Sequence, residues 1–321
     1  MRELTIGGND AGQRLDKFLS KALKGLPQSL LYKSIRTKKI KVNRKRATPD
    51  QMLVVGDTLQ LFLAEEFFEG GTPRTSHSLA SVRVNLDIVY EDEHILLVSK
   101  HPGMAVHEGE EGDGITLISQ IHAYLYQKGE YDPAREQSFA PALCNRIDRN
   151  TAGIVICAKT AEALRVMDEK IRARQIKKYY LCVVHGTPKE KQAVLHAYLA
   201  RQEGERRVRV YDSHRAGSKE IVTGYRVLKT KGDLSLLEVE LFTGRTHQIR
   251  AHMAHVGHPL LGDGKYGVNR ADRAKGYTYQ ALCSYKLTFA FEGEPTILEY
   301  LNGKTFSIPR EDIYFVRELF S

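Results

Sequence analysis

Long apolar runs are missing from this 321-residue chain, and no uninterrupted stretch approaches the roughly 20 residues of a membrane-spanning helix. The opening residues, MRELTIGGNDAGQRLDKF, hold no apolar core of the signal-peptide kind. Cysteine is sparse. Cys144, Cys157, Cys182 and Cys283 lie far apart, with no Cys-x-x-Cys pair among them. These absences argue against a disulfide framework and fit reduced, mostly buried thiols in a cytosolic protein, so a cytoplasmic location is expected. No glycine-rich nucleotide loop, Walker pattern or internal repeat is present. His247, His252, His255 and His258 have spacings that invite a metal, but no acidic or cysteine partner stands at ligand spacing. They are expected to be helix or turn residues, and no metal or cofactor is expected.

What is present divides unevenly. The chain is long enough for two domains, and its 42% hydrophobic content suits a buried core. Residues 1–63 carry 13 Lys and Arg against 5 Asp and Glu, a local balance of +8, which leaves +1 for residues 64–321. A small basic module is thus joined to a nearly neutral body, and such a module reads as a handle for a polyanion. Within it Leu15, Phe18, Leu19 and Leu23 recur at helical spacing, Pro27 breaks that helix, and Ser29 is the expected N-cap of a second one. Lys33, Arg36, Lys38, Lys39 and Lys41 occupy the second helix's outer face and exit. A strand with Ile40 and Val42, a basic turn over Asn43, Arg44, Lys45 and Arg46, and a strand with Leu59, Leu61 and Leu63 follow. QRLDKFLSKAL and IRTKKIKVNRKRA, in this order of elements, resemble the S-four RNA-binding domain over about 50 residues. The resemblance implies RNA contacts through Lys33, Arg36, Lys38, Lys39 and Arg44.

Residues 64–81, with Glu65, Glu66, Gly70, Gly71 and Pro73, read as a linker. Residues 82–321 then open on a strand, an acidic turn, a strand and a Pro-Gly turn. Helical patterns follow over 115–127 and 160–174, with strands over 179–185, 222–228, 234–242 and 285–291. Residues 128–139 and 265–278 read as loops. The expected class is α+β: a mostly antiparallel mixed-sheet domain behind a small N-terminal α/β unit.

Three segments carry the chemistry. The first is NRIDRNTAG (145–153), in which Asp148 stands between Arg146 and Arg149 before an apolar run. Its cationic neighbours favour an ionised carboxylate and attract phosphate, which suits a carboxylate nucleophile acting on a nucleic acid. The second is IKKYYLCVVHG (176–186), and the third GRTHQIRAHMAHVGHPLLGDGKYG (244–267), a turn leading into a helix that ends near Gly257. In order and spacing, the three resemble the motifs of the RluA-type pseudouridine synthases across most of residues 84–291.

That resemblance implies isomerisation of a uridine within RNA: the N-glycosidic bond is cut, the uracil rotates, and it is rejoined to the ribose through carbon-5. Asp148 matches the family's nucleophile and Arg250 the arginine that pairs with it. Tyr180 matches the tyrosine that stacks on the uracil and helps move a proton at carbon-5. Tyr179 faces the other side of the same strand, and the following LCVVHG favours Tyr180. Ile249 would be an apolar wall of the pocket. The uridine must be flipped out, and Arg146 and Arg149 could grip the displaced phosphate or fill the gap in the stack. Asn145 stands where the family commonly has His, and Ala152 where Ser is common. Asp263 and Lys265 are expected to shape a turn under the pocket.

Large-subunit ribosomal RNA is the expected partner, with transfer RNA as the alternative; no obligate protein partner is expected. A non-catalytic RNA- or ribosome-binding protein of the same fold would have no use for Asp148, Tyr180 and Arg250 together. A hydrolase with a covalent aspartyl intermediate lacks a second carboxylate convincingly paired with Asp148. Cys144 lies near Asp148 without any spacing that supports a catalytic thiol.

Overall fold

The computed structural model describes all residues except 69–75, 108–113, 202, 203, 205, 206 and 268. Its first part is a four-stranded antiparallel sheet under two helices. In chain order these are β1 (Arg2–Thr5), α1 (Leu15–Ala22), α2 (Gln28–Arg36), β2 (Ile40–Val42), β3 (Lys45–Arg46) and β4 (Thr58–Leu61), with sheet order β1-β4-β2-β3. Leu15, Phe18 and Leu19 of α1 and Leu31 and Ile35 of α2 meet Ile40, Leu59 and Leu61 in one buried core. The N-cap of α2 is Pro27, not Ser29. The proline's extended backbone, φ −58° and ψ 141°, leads directly into the helix, so Ser29 falls inside the first turn. Asn43 and Arg44 both take left-handed backbone, the two-residue turn that matches the twist of a tight hairpin. The Asn43 amide donates to Asp57 at 2.7 Å and accepts from the Thr58 amide at 2.9 Å, which leaves Arg44 at the exposed tip.

Gly70, Gly71 and Pro73 of the expected linker lie outside the described residues. On either side stand a 3₁₀ turn (Glu65–Phe67) and α3 (Ser76–Ser81), whose Leu79 packs into the core of the larger part. That part continues with β5 (Asp87–Glu91), β6 (Ile95–Lys100), α4 (Leu117–Gln127), β7 (Ala142–Leu143), β8 (Ala152–Ala158) and α5 (Ala161–Arg172). Then come β9 (Ile176–His185), β10 (Gln192–Arg201), β11 (Val208–Tyr211), β12 (Lys219–Lys231) and β13 (Leu234–Leu241). The last elements are α6 (Gln248–His255), α7 (Arg270–Ala274), β14 (Leu282–Phe289), β15 (Thr305–Ser307) and α8 (Tyr314–Phe320). The strands form one sheet in the order β11-β10-β12-β13-β9-β14-β8-β6-β5, with β15 on β14 and β7 on β8. Every pairing is antiparallel except that of β14 with β8. The α+β, mostly antiparallel architecture expected from the sequence is the one observed.

The apolar runs are continuous because the sheet is covered on both faces. Ile95, Leu97, Ile154 and Ile156 pack against α5, whereas Leu96, Val98, Val155 and Cys157 pack against α4. The same alternation on β9 puts Tyr180, Cys182 and Val184 with α6 and Leu181 and Val183 with α8. Helices α4 and α5 start at Thr116 and Thr160, whose hydroxyls accept the amides of Ser119 and Ala163. Helix α7 lies within the stretch read as loop. It is a single polar turn with no apolar period, held instead by buried Asp272, which accepts the Gly262 amide at 2.8 Å and bonds His185 at 3.0 Å.

A polar seam joins the two parts. Asp10 accepts from the Ser138 hydroxyl at 2.6 Å, Gln13 donates to that hydroxyl at 2.9 Å, and Gln137 donates to the Thr5 carbonyl at 2.7 Å. Asn9 accepts the Ala161 amide and Arg165 donates to the Ala11 carbonyl, each at 3.2 Å.

At the parallel junction Gly153 pairs with Ser284, which also pairs with Tyr180 on β9. Gly153 has φ +115°, and a Cβ there would lie 2.3 Å from the Ser284 carbonyl oxygen. Gly153→Ala is therefore expected to cost at least about 3 kcal/mol of unfolding free energy. Urea unfolding measures this; a loss under about 0.5 kcal/mol would mean that β8 and β14 part freely.

Candidate active site

The loop 144–151 is fixed at both ends before Asp148 is placed. Asn145 accepts the Ile156 amide at 2.7 Å, so the Asn145 side chain braces the loop from behind. Ile147 is buried against the α4 side, and the Thr151 amide closes on the Asp148 carbonyl at 3.0 Å. Lys100, at the end of β6, is almost fully buried. Its ammonium donates to the carbonyls of His101, Met104 and Arg149 at 2.8–3.0 Å. Burial pushes this amine down to about 8, against the pull of Asp148. The Arg149 guanidinium donates to the Gly103 carbonyl at 3.0 Å. The Pro-Gly turn and the Asp148 loop thus form one unit.

Helix α6 supplies the facing wall. Buried Gln248 accepts from Thr243 (2.9 Å) and the Arg245 amide (3.0 Å) and donates to Val222 (3.1 Å) and Thr223 (3.0 Å), pinning the helix start to β12. Ile249 then enters the core beside Tyr180, and Arg250 turns to the Asp148 loop. The Arg250 guanidinium bonds two carboxylates. Nε and one terminal nitrogen grip Asp263 at 2.7 and 2.9 Å, and the other donates to Asp148 Oδ2 at 2.7 Å. Asp263 is fully buried, Arg250 nearly so, whereas the Asp148 side chain keeps 26% exposure.

Burial alone would raise the Asp263 pKa. The Arg250 hydrogen bonds and charge, with the amides of Lys265 and Tyr266, outweigh it and leave Asp263 below the usual carboxylate range. Gly262 is required just before it, at φ +76° with a would-be Cβ 2.2 Å from the Tyr279 carbonyl oxygen.

A cavity of about 340 Å³ opens over this pair, lined by Asp148, Asn150, Arg250, Lys265, Arg273 and Gln280 among others. Tyr180 and Ile249 belong to the buried cluster behind it rather than to its lining. Burial, with the Asp148 charge adding, pushes the Tyr180 phenol up to about 12. Tyr179 lies on the other face of β9, beneath the Lys286 ammonium at 4.2 Å from its ring centroid. Arg146 is exposed on the loop, and Arg149 reaches the cavity rim. Lys33, Arg36, Lys38, Lys39 and Arg44 are all exposed on the N-terminal part.

The four histidines diverge. His247 bonds Tyr266, His252 Thr223, His255 Asp212, and His258 the His185 carbonyl. Burial pushes the Cys144 thiol up to about 12, so it is protonated at neutral pH. Sequence reasoning missed Lys100, Gln248 and the grip of Asp263 on Arg250. A lysine closing an apolar strand and an aspartate after a glycine were the only signals available.

Comparison with known proteins gives the family and the fold. The model of the RNA pseudouridylate synthase family matches residues 94–255, and that of the S4 domain matches residues 13–59. Ribosomal large subunit pseudouridine synthase C of Escherichia coli (strain K12) is 34% identical over 276 residues, 84% of this chain and 81% of that protein. The protein of the same name from Vibrio cholerae serotype O1 is 34% identical over 86% of this chain and 83% of its own. Among solved structures, human RNA pseudouridylate synthase domain containing 1 is 23% identical, with TM-score 0.52 over 73% of this chain and 94% of that one. Domain containing 4 is 19% identical, with TM-score 0.56 over 76% and 95%. These two share the fold. The protein is an isomerase with an attached S4 domain. It belongs to the RNA pseudouridylate synthase family. No helix among the described residues is long and apolar enough to cross a membrane.

Losing Asp263 leaves the buried Arg250 charge with one partner. Asp263→Asn is expected to cost about 3–5 kcal/mol of stability. It should also lower turnover about 100-fold through misplacement of Arg250. Because Asp263 is depressed below its unfolded value, its stabilisation is present above about pH 4 and is lost as pH falls through the folded value. Acid unfolding of the wild type should show that loss, and the variant should not.

Proposed function

We propose that this protein converts one or a few uridines of large-subunit ribosomal RNA to pseudouridine, with Asp148 as the nucleophile. The observation that carries the reading is the Asp148 carboxylate held at 2.7 Å by Arg250 on the floor of a cation-lined cavity. Arg250 occupies Oδ2 and orients the carboxylate, leaving Oδ1 to meet the ribose of an extruded nucleotide. A cavity of about 340 Å³ falls in the range of small-molecule sites and suits a single flipped nucleotide. Extrusion costs roughly a few kcal/mol. Exposed Arg146 is the side chain we assign to the gap left in the stack, while Arg149, tied to Gly103, holds the loop and meets phosphate. Tyr180, a neutral phenol behind the carboxylate, supports the uracil and takes part in proton movement at carbon-5; Ile249 backs it.

Residues 1–63 serve as the RNA handle, 64–81 as its connection and 82–321 as the catalytic domain. The ribosomal target rests on the names of the bacterial relatives and on the basic face over Lys33, Arg36, Lys38, Lys39 and Arg44.

Mapping pseudouridines in ribosomal RNA from cells with and without the gene tests the reading. One or a few sites should vanish and return with the wild-type gene but not with Asp148→Asn. Sites lost only from transfer RNA would sink the ribosomal assignment. Replacing the five handle cations by Gln should weaken RNA binding and flatten its salt slope by up to about 4. Arg146→Ala should lower both affinity and turnover, and unchanged values would remove it from the flipping role.

A further inference from the structure

His247, the last residue before α6, stands at φ 56° and ψ 19°, left-handed backbone that L-residues seldom enter. Its ring lines the cavity beside Asp148 and Arg250. Nδ1 lies 2.9 Å from the Tyr266 hydroxyl, and that hydroxyl accepts the Val208 amide at 3.0 Å. The Val208 amide takes one lone pair of the Tyr266 oxygen and leaves the phenol proton free to be donated to Nδ1. We assign the tautomer in which Tyr266 donates to Nδ1 and the imidazole proton sits on Nε2. Nε2 stands 3.8 Å from Asp148 Oδ2, beyond hydrogen-bond range, across a gap that opens on the cavity.

We propose that neutral His247 is a catalytic residue whose Nε2–H donates a hydrogen bond to a carbonyl oxygen of the uracil as the base leaves the ribose. The proposal rests on Asp148 being the reacting carboxylate. When the bond between ribose C1′ and uracil N1 breaks, its electron pair stays with the ring and spreads onto the carbonyl oxygens. Asp148 meanwhile bonds to C1′. A donor beside the carboxylate meets that negative charge where it develops. The proton stays on Nε2; when carbon-5 attacks C1′, the bond to Asp148 breaks and its electron pair returns to the carboxylate. Carbon-5 then loses its hydrogen as a proton and N1 takes one up, which restores the uracil ring, and the hydrogen bond from Nε2 relaxes with no net proton transfer from His247.

Neutrality matters here. A cationic imidazolium at 3.8 Å would turn onto Asp148 and occupy the nucleophile. Burial disfavours that second proton. Among the neighbours Asp148 favours it, Arg250 and Lys265 oppose it, and Asp263 favours it; the balance lies on the neutral side.

The test uses the full-length protein and a synthetic stem-loop RNA carrying the mapped uridine. His247→Asn keeps a residue that accepts left-handed backbone but does not reach the cavity position. Its single-turnover rate is expected to fall about 100-fold with RNA affinity within about twofold. The same RNA made with 2-thiouridine or 4-thiouridine offers a poorer acceptor. One of the two should slow the wild type about tenfold and slow His247→Asn less than about twofold. Tyr266→Phe removes the donor to Nδ1 and should cost about tenfold in rate. Equal thio effects in wild type and His247→Asn would overturn the proposal. Asp148→Asn, run alongside, separates the two levels. An active Asp148→Asn overturns the reading of the carboxylate, whereas an inactive one beside a wild-type rate in His247→Asn overturns the role of His247 alone.

Discussion

The Arg250 guanidinium, shared between two carboxylates, is the contact on which the rest of the site depends. A buried arginine is tolerated only when its charge and its fork of donors are met, and removing one partner of such a pair is strongly destabilising. Asp263 meets most of that need from a fully buried position. What remains of the fork is directed at Asp148, which keeps access to the cavity. The two carboxylates thus divide the work by burial: the inner one fixes the arginine, and the outer one is available to a ligand.

Around this contact the backbone is arranged so that three distant segments have little freedom. The Lys100 ammonium fastens the Asp148 loop to the turn after β6. Gln248 fastens the start of α6 to β12. Gly153 lets β8 approach β14 closely enough that Tyr180, Ser284 and Gly153 lie in register across three strands. The placement of the Asp148–Arg250 pair is carried by these buried polar anchors as much as by the contact between the two side chains.

Much of this was legible in the chain, for identifiable reasons. Asp148, Tyr180 and Arg250 stand in motifs whose order and spacing survive in one dimension, and the two-residue period of a strand separates Tyr180 from Tyr179. The helical patterns over 115–127 and 160–174 show in the apolar spacing and correspond to helices over 117–127 and 161–172. Other features did not. Asp263 acts on an arginine of the preceding helix and Lys100 on the Arg149 carbonyl of another loop, so their roles exist only once these segments meet. Helix α7 is one polar turn stabilised by a buried aspartate, which leaves no periodic trace. Strand β1 is four residues long and has meaning only as the partner of β4.

The hydrogen bonds of the seam between the S4 part and the catalytic sheet join amides, hydroxyls and carbonyls with the Asp10 carboxylate and the Arg165 guanidinium. Each neutral contact contributes only about 0.5–1.5 kcal/mol and each contact to a charged group about 1.5–3 kcal/mol, because solvent satisfies the same atoms when they separate. A joint of that kind behaves as a latch and not as a weld: it sets a resting pose for the basic face while keeping its release inexpensive.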